Sequence, residues 1–218
     1  MSSIEELFDN NQKMGSLITL VALLSMILAI IGIVVAALYD VSIVVIIIAA
    51  IGTLIYAYLL YQFGLELRDN SVDKVPLPFV TNIIGPFIEH SRSLSRVSIF
   101  AGIVRFIGMG LIISSIFWVL AYIIGGWGLL IGGPILLILI GLVFLWASKE
   151  ISKGGNHSFM WILLIILFIL ALIGSLFSLI SGLSMLIVSV AQSLITLLLS
   201  GFALYLGMTP EVKTQMGA

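Results

Sequence analysis

Few side chains in this sequence could do chemistry, and their spacing argues against most of it. The two histidines, His90 and His157, both fall in polar stretches between apolar runs. Haem held by two histidines needs ligands on facing helices at membrane depth, which these positions do not offer. Zinc needs three or four ligands. Glu89, His90 and His157 could supply three, but nothing in the spacing sets them together. An intramembrane protease needs a Ser-His, paired-Asp or metal site inside its apolar runs, and no run here contains one. The chain has no cysteine, which removes disulfides, thiolate metal sites, thiol nucleophiles and palmitoylation. The expectation is a protein that is not an enzyme and carries no cofactor.

Two weaker polar features remain. Gln192 is an amide inside an apolar run, so it must find hydrogen-bond partners. The simplest role is one interhelical hydrogen bond. The alternative is a polar cavity shared with Thr196 and Ser200. The segment His90-Ser91-Arg92-Ser93-Leu94-Ser95-Arg96, with Arg105 beyond it, could bind a lipid phosphate. Each such charge is worth about 1 kcal/mol beside an anionic membrane. Ordinary basic flanking of a membrane span is the simpler reading of these arginines.

These residues must be positioned by helices. The chain has 218 residues, 61% of them hydrophobic and 9% charged, where a soluble domain carries about 25% charged. It could not cover its surface with polar groups in water, so its solvent over most of its area is lipid. No basic stripe with interleaved aromatics lies outside the apolar runs, so no nucleic-acid partner is expected. The head of the chain, with Glu5, Glu6 and Asp9, is acidic where a secretory signal is basic, and the run after it is too long for one. Residues 1–15 are expected to hold a short interfacial helix, with Ser3 and Glu6 as a capping box.

About 20 apolar residues cross a bilayer as a helix. The reading is all-α, with six transmembrane helices as three antiparallel hairpins at 16–63, 97–148 and 159–208. A cytoplasmic or interfacial linker spans 64–96, a short loop 149–158 and a tail 209–218. Tyr56, Tyr58 and Tyr61 fall near the end of the second run, where an interfacial aromatic belt would sit. Arg105 is expected near an interface, because a charge at mid-bilayer costs several kcal/mol. Residues 159–207 are almost unbroken apolar sequence, about 73 Å long as one helix. They must turn back, and Ser181-Gly182-Leu183-Ser184 is the best site. Charge supports this. With six spans, Lys13, Arg68, Lys74, Arg92, Arg96, Arg105, Lys149, Lys153 and Lys213 all fall on one side, and the opposite turns carry only Asp40. The positive-inside rule makes the basic side cytoplasmic, with both termini there.

Lipid tails are as apolar as leucine, so membrane helices associate through small residues and hydrogen bonds. Ser189, Ser193, Thr196, Ser200, Ala203 and Gly207 recur at intervals of four and three, as do Ala171, Ser175, Ser178 and Gly182. These two stripes read as a packing seam between the last two helices. Ser25, Ala29, Gly32 and Ala36 offer another, and Gly108, Gly110 and Ser114 a third. Hydroxyls in such stripes usually bond their own helix, which favours packing over a polar pathway.

The Ile/Leu-dense spans, such as Val44-Val45-Ile46-Ile47-Ile48, the missing cysteine and the glycine punctuation resemble those of uncharacterised multi-pass membrane proteins of archaea. In size and topology the chain is also similar to the substrate-binding subunit of energy-coupling-factor vitamin transporters. That family relies on small-residue repeats in its first helix, and Ser25, Ala29, Gly32 and Ala36 match in part. The outer turns here are shorter and more apolar than a vitamin site would need. The functional expectation is a non-catalytic, multi-pass protein of the cell membrane: an accessory subunit or scaffold contacting lipid and other membrane subunits or a second copy. The alternative is a transporter or channel component for a neutral or apolar solute.

Overall fold

The computed structural model describes the backbone at residues 10–38, 43–69, 95–126, 128–182 and 187–218, and the side chains there apart from 181–189. Among these residues there are helices and no strands. Six helices are long and apolar enough to cross a membrane: α1 Asn11–Leu38, α2 Ile43–Asp69, α3 Arg96–Ile124, α4 Gly132–Lys153, α5 Ser158–Gly182 and α6 Ile187–Gly207. A short α7, Pro210–Met216, follows. Residues 1–9 of the interfacial helix expected at 1–15, residues 70–94 of the linker expected at 64–96, the tip at Asp40 and Trp127 lie outside the described residues.

The helix ends have local causes. Asn10 starts α1 by accepting from the backbone N–H groups of Gln12 and Lys13, at 2.9 and 3.2 Å, which leaves fewer unsatisfied donors in the first turn. Ser95 does the same for α3 through Ser98 N. Pro134 falls in the first turn of α4, where its missing N–H costs nothing. That helix ends on Gly154 and Gly155, whose positive φ angles of 72° and 136° suit glycine. The long apolar run is divided between α5 and α6, which pack on each other; of the turn expected at Ser181-Gly182-Leu183-Ser184, residues 183 and 184 lie outside the described residues.

Three boundaries differ from the sequence expectation: α4 continues past Ser148 to Lys153, and the other two lie in the first hairpin. α1 starts five residues before Ser16, and α2 continues past Phe63 to Asp69. The extension of α2 is held by packing: Phe63, Gly64, Glu66 and Leu67 are all buried. Gly64 and Gly15 lie against each other so closely that a methyl group on either would meet the backbone of the other helix.

α1, α2, α3 and α6 form the centre: α1 packs on α2 and α6, and α3 on α2 and α6. α4 packs chiefly on α3, and α5 chiefly on α6. From Ala22 onward, side-chain size separates inside from outside along α1; nearer its start the large Met14 and Ile18 are buried as well. The buried face of α1 includes Gly15, Ala22, Ser25, Ala29, Gly32 and Ala36, while Leu20, Ile27, Ile30 and Val34 face out. Such an arrangement is expected where close contact, rather than exclusion from water, holds helices together. Ser25 donates to Ala191 O of α6 at 3.2 Å, so the stripe matched to the vitamin-transporter subunits lies inside this bundle rather than on its surface.

Among the described residues, all the basic side chains except Arg105 gather toward one end of the bundle. Gly15 of α1 abuts Arg68 of α2. α7 tucks beneath α3, α5 and α6, with Val212 and Met216 buried. His157 N donates to Met216 O at 2.8 Å, tying the α4–α5 turn to α7. Lys13, Arg68, Arg96, Lys149, Lys153 and Lys213 all lie at this end, called proximal below.

Candidate functional site

A cavity of about 440 Å³ opens between α3, α4, α5 and α6, with Tyr56 of α2 at its back. Glycines let these helices approach closely nearer the proximal end. A Cβ on Gly108 would come within 2.8 Å of Gly141 O, and one on Gly141 within 2.7 Å of Gly108 O, so α3 and α4 touch backbone to backbone there. Ser148 adds a hydrogen bond from α4 to Ala101 O, at 2.9 Å. Phe144 of α4 and Phe168 of α5 meet with ring centroids 5.6 Å apart, and Phe168 also meets Phe100 edge-on at 6.3 Å. Phe144 is itself a lining residue, so this aromatic contact borders the cavity on its proximal side.

Farther along, α4 and α5 both contribute exposed residues to the cavity lining. Leu137 of α4 and Leu170 of α5 both line the cavity, yet they are 41% and 59% exposed. They therefore flank its mouth, which faces sideways out of the bundle.

The polar wall comes from Tyr56, Ser114, Ser115, Gln192 and Thr196. Gln192 Nε2 donates to Thr53 Oγ1 at 2.9 Å, which is the interhelical bond expected of this amide. Thr53 spends its own proton on Ala49 O, at 3.1 Å, so its oxygen can only accept from Gln192. This fixes the direction of the amide and leaves Gln192 Oε1 without a donor among the described residues. Thr196 donates to Gln192 O within its own helix, at 2.9 Å. Among the described residues, no charged side chain lines the cavity.

Tyr56 does not belong to an interfacial belt. Because α2 runs on to Asp69, Tyr56 lies about 20 Å from that end. It is buried, its ring lies across Gly110, and its hydroxyl donates to Phe106 O at 3.1 Å.

The remaining expected site residues are dispersed. In the α6 stripe, Ser193, Ser200, Ala203 and Gly207 are buried. The hydroxyl of Ser200 has no hydrogen-bond partner among the described residues and does not line the cavity. Gly207 lies against Ile165 of α5 and Phe100 of α3, and its carbonyl accepts from Trp161 Nε1 at 2.7 Å. In the α5 stripe, Ser175 is buried and bonds its own helix at Leu172 O, Ala171 lines the cavity and Ser178 is exposed. The side chain of Ser189 and the environment of Gly182 lie outside the described residues. Arg96 lies 3.7 Å from Glu211 of α7, and Arg105 sits about 13 Å farther along α3. Arg92 lies outside the described residues. His157 sits in the α4–α5 turn, and among the described residues no three His, Asp or Glu side chains gather as a metal site.

Sequence reasoning named Gln192 and Thr196 for a cavity but missed Ser115, Trp118 and Leu137. It read Ser114 as packing. The adjacent hydroxyls Ser114-Ser115 within an apolar helix were the available signal. Compared with protein-family models, curated proteins and solved structures, the chain matches none.

Proposed function

We propose that this chain crosses the cell membrane six times, as three antiparallel hairpins with both termini cytoplasmic. In this reading it holds a neutral, largely apolar solute in the cavity bounded by α3 to α6, as a non-catalytic transporter or channel component. The observation that carries the reading is the uncharged cavity at mid-helix depth, with Gln192 and Thr196 in its wall. Its volume falls in the range of about 300–1,000 Å³ usual for small-molecule sites. Native mass spectrometry of the protein released from lipid nanodiscs tests it. The wild type should retain an apolar adduct, and Ala171→Trp, which fills the cavity, should lose it. An adduct-free wild type, or retention unchanged in the variant, would sink the proposal.

The accessory-subunit reading keeps one observation in its favour. Because α4 packs chiefly on α3, Leu136, Leu139, Val143 and Trp146 are left facing outward, where lipid, another membrane subunit or a second copy could cover them. It predicts a stable partner or homo-oligomer after purification in mild detergent. A strictly monomeric, partner-free protein would count against it.

A further inference from the structure

We infer that the solute is a long-chain neutral alcohol dissolved in the bilayer, which enters between α4 and α5 and is held by its hydroxyl at Gln192. This rests on the solute-holding reading above and names the class of molecule.

Four observations converge on that class. First, among the described residues the lining contains no Lys, Arg, His, Asp or Glu. A charged headgroup there would be buried without a counter-charge, at a cost of several kcal/mol in a membrane interior. The ligand is neutral.

Second, the polar wall is deep. Gln192 lies five residues into α6, and Ser114 lies ten residues before the end of α3. These positions are about 7–15 Å along the helices from their distal ends. A phospholipid keeps its headgroup at the interface, whereas a single-headed neutral lipid can submerge a hydroxyl if the protein satisfies it.

Third, the mouth opens sideways between Leu137 and Leu170, which are both part of the lining and part of the outer surface. A molecule already in the bilayer reaches the cavity without crossing a polar rim. The Phe144–Phe168 contact borders the cavity on the proximal side, so an apolar chain can extend out through the mouth.

Fourth, the amide of Gln192 has two functions to offer. Its bond to Thr53 uses one N–H; the second N–H and Oε1 remain. A hydroxyl is the smallest neutral group that both accepts and donates. A ketone or ether would meet only the N–H, and a hydrocarbon would meet neither. Thr196 and Tyr56 already spend their protons on Gln192 O and Phe106 O, so toward a ligand they act as acceptors and add to the preference for a donor.

The test uses the full chain in nanodiscs with a photoreactive diazirine analogue of hexadecanol. Unlabelled hexadecanol and hexadecane compete for labelling. In the wild type the alcohol should compete about tenfold better than the alkane, the ratio expected of one or two neutral hydrogen bonds. Gln192→Leu should remove the difference between the two competitors. Ala171→Trp should abolish labelling. Equal competition by alcohol and alkane in the unmodified protein overturns the alcohol inference and leaves the solute-holding reading standing; this comparison needs no variant to fold. An alcohol preference that survives in folded Gln192→Leu also overturns it. No specific competition by either compound overturns both.

Discussion

Replacing Gly15 by alanine tests whether close backbone approach, rather than apolarity, holds the bundle together. A Cβ built on Gly15 would lie 2.5 Å from Arg68 N, 2.6 Å from Gly64 O and 3.0 Å from Arg68 Cα. All three are backbone atoms of α2, so no side-chain rotation relieves the clash. An ordinary carbon–oxygen contact needs about 3.3 Å or more, so α1 and α2 must part locally by about 0.7 Å. Overpacking of this kind costs about 1–3 kcal/mol, while alanine returns about 0.8–1 kcal/mol of helix propensity over glycine. The net expectation is a loss of about 1 kcal/mol, roughly a fivefold fall in the folded-to-unfolded ratio. Gly174→Ala in α5 and Gly201→Ala in α6 are the controls. A Cβ there meets nothing within 4 Å, so each should be neutral or stabilising by up to about 1 kcal/mol. Reversible unfolding in mixed detergent micelles, followed by far-UV circular dichroism, measures all three. If Gly15→Ala is as stable as the two controls, the close-approach argument for α1 and α2 is wrong.

Other substitutions probe separate parts of the account. Phe168→Ala removes a fully buried ring that touches Phe100 and Phe144; with roughly 100 Å³ vacated, the packing loss alone should cost about 2 kcal/mol in the same unfolding assay. Tyr56→Phe deletes the hydrogen bond to Phe106 O and should cost about 0.6 kcal/mol, the average for such bonds in membranes; a loss above about 2 kcal/mol would mean the hydroxyl has a larger role. The chain lacks cysteine, so single cysteines report topology cleanly. Lys153→Cys and Lys213→Cys should react with an impermeant maleimide only from the cytoplasmic side, and Asp40→Cys only from the other; labelling of all three from one side would refute the six-span arrangement.

The number of long helices could be read from the residues because each run of about 20 apolar side chains is a local property of the chain. Residues 159–207 had to be divided for the same reason, and α5 and α6 are separate helices that pack on each other. The inward faces were partly legible. Ser25, Ala29, Gly32 and Ala36 are buried as their spacing implied. Ser114 belonged to a similar stripe and yet lines the cavity. A small residue marks only that its helix can be approached closely; whether a neighbour fills the space depends on where that neighbour runs. Tyr56 was misplaced because the end of α2 was set at Phe63, and packing against Gly15 carries it on to Asp69.

Hydropathy and charge act residue by residue, through the cost of moving each side chain out of water, and those costs add along the chain whatever the fold. The sequence alone therefore determined the all-helical class, the six apolar helices and the gathering of basic residues between them. The cavity is a different kind of property. It exists because α4 closes on α3 at Gly108 and Gly141, α5 closes on α6 at Gly207, and the two outer helices then meet at Phe144 and Phe168 while Leu137 and Leu170 line the cavity and stay exposed. Those approaches depend on crossing geometry between helices that are apolar on every side, and no periodicity in one helix records where the next will lie. Tertiary structure alone turned Gln192 from an isolated amide into the polar wall of a site.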